Sequence, residues 1–134
     1  MTMINRYVTN SGSVYNIGYH LIWCTKYRRR VLIGDIEQSL KNLCLEKATE
    51  IGISIESIEV MPDHVHIFCK SIPTYAPHYI VQQMKGCTSR VLRDTFPSLK
   101  SKLPTLWTRS YFCESVGHIS QETIIKYIEN QKNV

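Results

Sequence analysis

Two runs of strand-forming residues, 53–60 and 64–71, are separated only by Met61-Pro62-Asp63. Proline fixes φ and aspartate can bond the backbone beyond it, so this stretch predicts a tight turn between antiparallel strands. Side chains alternate along a strand. Val65, Ile67 and Cys69 therefore point one way, and His64, His66, Phe68 and Lys70 the other. The first set reads as core and the second as a working surface. His64 and His66 project together, close enough to share one ligand. The alternation in 53–60 changes phase between Ile55 and Ile58, which predicts a bulge.

The rest of the chain supplies partners for this hairpin. Residues 17–25 are rich in aromatic and β-branched types, with Tyr19, Leu21 and Trp23 on one face and His20, Ile22 and Cys24 on the other. This reads as a central strand covered on much of both faces. A basic segment follows, Lys26-Tyr27-Arg28-Arg29-Arg30. A first helix is expected from Asp35, as N-cap, to a stop at Gly52. Its apolar positions Ile36, Leu40, Leu43, Cys44, Ala48 and Ile51 fit a 3.6-residue period. A second helix is expected over 77–96, with Ile80, Met84, Cys87, Val91 and Leu92 as its apolar stripe. Gln82, Lys85, Ser89 and Arg93 form its polar stripe, and Pro97 ends it. A looser segment with Pro104 leads to a fourth strand over 107–116, and a last helix spans about 120–132.

The order β-α-β-β-α-β-α defines an α+β chain. Its first six elements are those of a ferredoxin-like (RRM-like) antiparallel sheet with two packed helices, and the last helix is an addition. The 134 residues read as one domain, with 1–14 a polar, flexible leader. An apolar fraction of 43% with 20% charged residues excludes a disordered chain. The net charge of +5 is compatible with a polyanionic partner without requiring one. Five cysteines, none in a Cys-x-x-Cys pair, suggest neither zinc knuckle nor redox motif and suit a reducing cytoplasm. No apolar run is long enough to span a bilayer, so no membrane partner is expected.

In the last helix Tyr127 and Gln131 lie four residues apart, on one face. Together with Tyr19-His20-Leu21-Ile22-Trp23-Cys24-Thr25-Lys26-Tyr27-Arg28, Met61-Pro62-Asp63-His64-Val65-His66 and the stretch 107–117, this ordering resembles the single-tyrosine HUH transposases of small bacterial insertion sequences, the IS200-like transposases. HUH denotes histidine, hydrophobic residue, histidine. One departure is Arg30, where relatives often carry proline. The resemblance implies that His64, His66 and Gln131 hold a divalent metal, Mg2+ or Mn2+, and that Tyr127 attacks DNA. It also implies single-stranded DNA with hairpins near the element ends as substrate, a homodimer with sites possible in cis or trans, and a bacterial or archaeal cytoplasm.

Three uncharged ligands would leave the cation's charge to a scissile phosphate. Attack by tyrosine would leave a 5′-phosphotyrosine and conserve the phosphodiester energy for rejoining. Candidate DNA contacts are Lys26, Arg28, Arg29, Arg30, Lys85, Arg93 and Arg109, with Tyr27 and Trp107 as stacking surfaces. Trp107 is as well suited to core. Asp63 is expected to shape the turn, with a bond to a histidine possible. Two other classes remain open: a non-catalytic single-stranded nucleic-acid-binding module of RRM-like fold, and a metal-dependent hydrolase that makes no covalent adduct.

Overall fold

The computed structural model describes residues 7–10 and 12–116. Tyr127, Gln131 and the last helix expected over 120–132 lie outside the described residues. A small hairpin, β1 (Val8–Thr9) with β2 (Val14–Tyr15), occupies the segment expected as leader. Asn10 makes its turn, its side-chain oxygen accepting from the backbone N–H of Gly12 and Ser13 at 2.8 and 2.7 Å.

The main elements follow as β3 (Ile17–Cys24), α1 (Gly34–Ile51), β4 (Ser54–Met61), β5 (His64–Ser71), α2 (Pro77–Thr95), a short α3 (Ser98–Lys102) and β6 (Phe112–Val116). The sheet order β4-β5-β3-β6, antiparallel throughout, is the ferredoxin-like arrangement that the element order predicts. The hairpin between β4 and β5 closes over Pro62 and Asp63, with Met61 paired to His64. Ile55 pairs with Cys69 and Ser57 with Phe68, so Glu56 is the extra residue of a bulge. That bulge lets Ile55, Ile58 and Val60 all reach the core side of one strand despite their broken alternation.

One face of the sheet meets both long helices. Leu21 and Trp23 of β3 and Val65, Ile67 and Cys69 of β5 pack there against Leu40 and Cys44 of α1 and Ile80, Met84 and Leu92 of α2. At roughly 1.5–3 kcal/mol for each large apolar side chain buried, this layer dominates the favourable side of folding. Trp107 belongs to it, its ring edge-on to Trp23 at 5.9 Å between centroids. Its indole N–H donates to the hydroxyl of buried Thr88 at 3.0 Å.

Several details differ from the sequence reading. Helix α1 starts at Gly34, with Ile33 at the N-cap position, so Asp35 lies in the first turn, where its charge favours the helix dipole rather than capping. Strand β6 is shorter than 107–116, because Trp107 makes only a single bridge to Thr25 before the chain leaves the sheet until Phe112. The looser segment before it contains α3.

Helix α1 ends at Gly52, whose φ of +80° is left-handed. A Cβ there would meet nothing within 4 Å, so Gly52→Ala tests backbone strain alone. Gly86, inside α2, has equally open surroundings and no positive φ. Chemical denaturation should show Gly52→Ala destabilised by about 1 kcal/mol and Gly86→Ala stabilised by about 0.5–1 kcal/mol.

Candidate active site

Across the face opposite α1 and α2, register brings together residues from three strands. His66 lies opposite Ile22, His64 opposite Cys24, and His20 opposite both Phe68 and Glu114. The His64 and His66 rings are 4.7 Å apart at 68°, and His66 stacks on His20 at 5.9 Å. Phe112 meets His20 edge-on at 5.9 Å. His20 and His66 are buried, and so is Phe68. An RRM-like binding surface would instead expose aromatic rings on these two central strands.

The two ring nitrogens of His66 have no hydrogen-bond partner among the described residues, although the side chain is only 2% exposed. Buried polar atoms are usually satisfied, so an imidazole left in this state has nitrogens to offer a ligand. Burial, with the neighbouring His64 and His20 imidazoles, pushes His66 down to about 4. It is therefore neutral at physiological pH and presents a lone pair.

His64 is fixed differently. Its Nδ1 lies 2.6 Å from Asp63 Oδ1, and the carboxylate, as acceptor, holds the proton on Nδ1. The Nε2 lone pair is then the one left to ligate, the arrangement in which metal-bound histidines are commonly held. Burial raises the affinity of the Asp63 carboxyl for a proton, but hydrogen bonds and charge from His64 and Arg28 outweigh it, and the group is held below its usual range. Two nitrogens, one on each histidine, could thus hold a divalent cation. No set of three His, Cys, Asp or Glu side chains among the described residues could do so alone. Gln131, which the resemblance makes the third ligand, lies outside those residues, as does Tyr127.

The basic candidates divide by what they touch. Arg29, Arg30 and Arg109 are exposed, and Tyr27 is an open ring with the Lys26 ammonium 5.1 Å from its centroid. Lys85 turns inward, donating to the carbonyls of Thr108 (2.6 Å), Ser110 (3.3 Å) and Arg109 (3.4 Å). Arg93 donates to Pro104 and Leu103 carbonyls at 3.1 and 3.3 Å. These two side chains pin the 103–110 segment, whose backbone carbonyls leave the sheet ladder and need donors. Trp107 is core, with its faces and N–H occupied. Sequence reasoning missed Thr25, which is fully buried beside the site, because nothing in a lone threonine after a strand marks it.

The two central strands of a ferredoxin-like sheet thus gather His20, His64 and His66 on one face of an α+β protein. Comparison with known proteins supplies the family. A family profile described as "Transposase IS200 like" matches residues 13–131. The chain is 40% identical to the "ISDra2 transposase TnpA" of Deinococcus radiodurans over 90% of its own length and 87% of the relative's. It is 26% identical to the "Transposase for insertion sequence element IS200" of Salmonella typhimurium, covering 87% of this chain and 78% of that one. The crystal structure of a putative transposase from D. radiodurans R1 superposes with a TM-score of 0.77 at 37% identity, over 92% and 97% of the two chains. A REP-associated tyrosine transposase bound to a REP hairpin shares the fold at a TM-score of 0.62 and 14% identity, over 99% and 74%. The chain belongs to the IS200-like transposase family. It is a DNA transposase, an enzyme of DNA cleavage and strand transfer. No helix among the described residues is long and apolar enough to cross a membrane.

The unfolded chain protonates His66 near 6.5, whereas the folded chain does so only near 4. Between these values the unfolded state binds the extra proton, so acid favours unfolding. Metal-free protein should lose about 1.4 kcal/mol of stability per pH unit as pH falls through this window. Urea titrations at several pH values should show a shallower slope for His66→Leu.

Proposed function

We propose that the protein cuts and rejoins single-stranded DNA at insertion-sequence ends, with Tyr127 as nucleophile and a divalent metal, Mg2+ or Mn2+, held by His64, His66 and Gln131. The observation that carries this reading is the His64–His66 pair, with centroids 4.7 Å apart and both nitrogens of buried His66 open among the described residues. Membership of the transposase family gives the pair a phosphodiester to act on. Tyr127 and Gln131 enter on the family motif and their four-residue spacing.

When bound, the cation supplies a Lewis acid that polarises the scissile phosphate. The chain's own part is to present a lone pair on each imidazole, uncharged groups that leave the cation's charge to the phosphate. Burial does this for His66, and the Asp63 bond fixes the Nδ1–H tautomer of His64. The Tyr127 hydroxyl gives up its proton and its oxygen bonds to phosphorus, while the bond to the 3′ oxygen breaks. The products are a 5′-phosphotyrosine and a free 3′-hydroxyl. Attack by a 3′-hydroxyl reverses the step, so rejoining needs no nucleotide energy.

Lys26, Arg29, Arg30 and Arg109 neutralise strand phosphates, and Tyr27 offers a ring on which an unpaired base can stack. Recognition of hairpins near the element ends and assembly as a homodimer complete the reading, in a bacterial or archaeal cytoplasm that keeps all five thiols reduced.

The test is a denaturing gel of protein incubated with Mn2+ and labelled single-stranded DNA carrying the element's own end. A covalent adduct should form, vanish in Tyr127→Phe, and vanish or nearly so in His66→Ala. An adduct that survives Tyr127→Phe contradicts the assigned nucleophile. Cleavage with no adduct at any time favours hydrolysis by water.

A further inference from the structure

Two consecutive residues after β3, Tyr27 (φ 58°) and Arg28 (φ 53°), adopt left-handed backbone conformations although neither is glycine. Such conformations persist only where the surroundings impose them, and they concentrate at working sites. Here the surroundings are explicit. The backbone N–H of Thr25 donates to the Asp63 carbonyl at 3.0 Å, and that of Lys26 to the Leu106 carbonyl at 2.8 Å. The N–H of Arg28 returns to the Thr25 carbonyl at 3.0 Å. The buried Thr25 hydroxyl donates to the Arg29 carbonyl at 2.7 Å, with the Asp63 carbonyl 3.3 Å away. Leu32 N–H donates to the Pro62 carbonyl at 2.9 Å. The segment is thereby fastened to the turn that precedes His64.

This fastening delivers one guanidinium. Arg28 Nε and Nη2 both contact Asp63 Oδ2, at 3.1 and 3.0 Å. The other carboxylate oxygen, Oδ1, is left to accept from His64 Nδ1 at 2.6 Å. Gripping one oxygen with two nitrogens fixes the rotation of the carboxylate and aims the second oxygen at the imidazole. The Arg28 side chain is 65% exposed, and an ion pair so open to water contributes little to stability. Its effect is on orientation.

We propose that Arg28 is a positioning residue for the metal site, acting through Asp63 to fix the tautomer and ring orientation of His64. The basic run then has a division of labour: Arg28 serves the ligand, while exposed Arg29 and Arg30 face solvent and DNA. The inference rests on His64 and His66 being metal ligands, as proposed above.

The discriminating variant is Arg28→Gly, because glycine takes a φ of 53° without strain while the guanidinium is lost. Two readouts need no DNA: Mn2+ affinity by electron paramagnetic resonance, and the His64 tautomer in metal-free protein by 15N NMR of the imidazole. Arg28→Gly should fold normally, bind Mn2+ roughly tenfold more weakly, and show a mixed His64 tautomer. Arg28→Lys, which can hold Oδ2 with one ammonium, should recover part of both. Lys102→Ala, which removes one exposed positive charge on α3, should change neither. Wild-type Mn2+ affinity and an unchanged tautomer in Arg28→Gly would overturn the positioning role and leave Arg28 a phosphate contact. A wild-type protein that binds no Mn2+ at all would instead overturn the metal-ligand reading on which the inference rests.

Discussion

The register between β3 and β5 pairs Trp23 with Val65 and Leu21 with Ile67 on one face, and Ile22 with His66 and Cys24 with His64 on the other. Because the side-chain period is two, a slip of one residue would turn Trp23, Val65 and Ile67 away from the helices and bury the histidine pair among them. The apolar layer beneath α1 and α2 is thus what holds His64 and His66 on the opposite face. Packing of the core and presentation of the two imidazoles are one constraint. Any change that loosens the eight-residue pairing of these central strands should disturb the site before it disturbs the outer strands.

Burial then does chemical work on the site. An imidazole at 2% exposure is costly to protonate, so the same closure that hides His66 keeps it a neutral donor. His64, partly exposed at the mouth of the hairpin, cannot rely on burial and is set by a carboxylate instead. Burial thus governs the one imidazole, and a carboxylate bond sets the tautomer of the other. The basic side chains divide in the same spirit. Lys85 and Arg93 satisfy carbonyls that the irregular 103–110 segment would otherwise leave bare, Arg28 holds Asp63, and Arg29, Arg30 and Arg109 stay open to solvent.

Much of this is legible in the sequence, for identifiable reasons. The Pro62-Asp63 turn, the strand His64–Ser71, the bulge near Ile55 and the helix over Pro77–Thr95 follow from turn chemistry, period and proline, all of them local signals. The shared face of His64 and His66 follows from strand geometry alone. What period and composition could not reveal was long-range. Trp107 reads equally as core or stacking platform until Thr88, nineteen positions away, accepts its N–H. Lys85 reads as a solvated stripe residue until three carbonyls from 108–110 surround its ammonium. Thr25 and the left-handed turn after it depend on where the β4–β5 hairpin docks, which no pattern within 25–30 encodes.

The central claim is that the two imidazoles of β5 are metal ligands. It is tested most directly by electron spin-echo measurements on Mn2+ bound to the DNA-free protein labelled with 15N-histidine. The account predicts coupling to two imidazole nitrogens, reduced to one in either His64→Ala or His66→Ala. Mn2+ bound with no histidine nitrogen in its coordination sphere would contradict it.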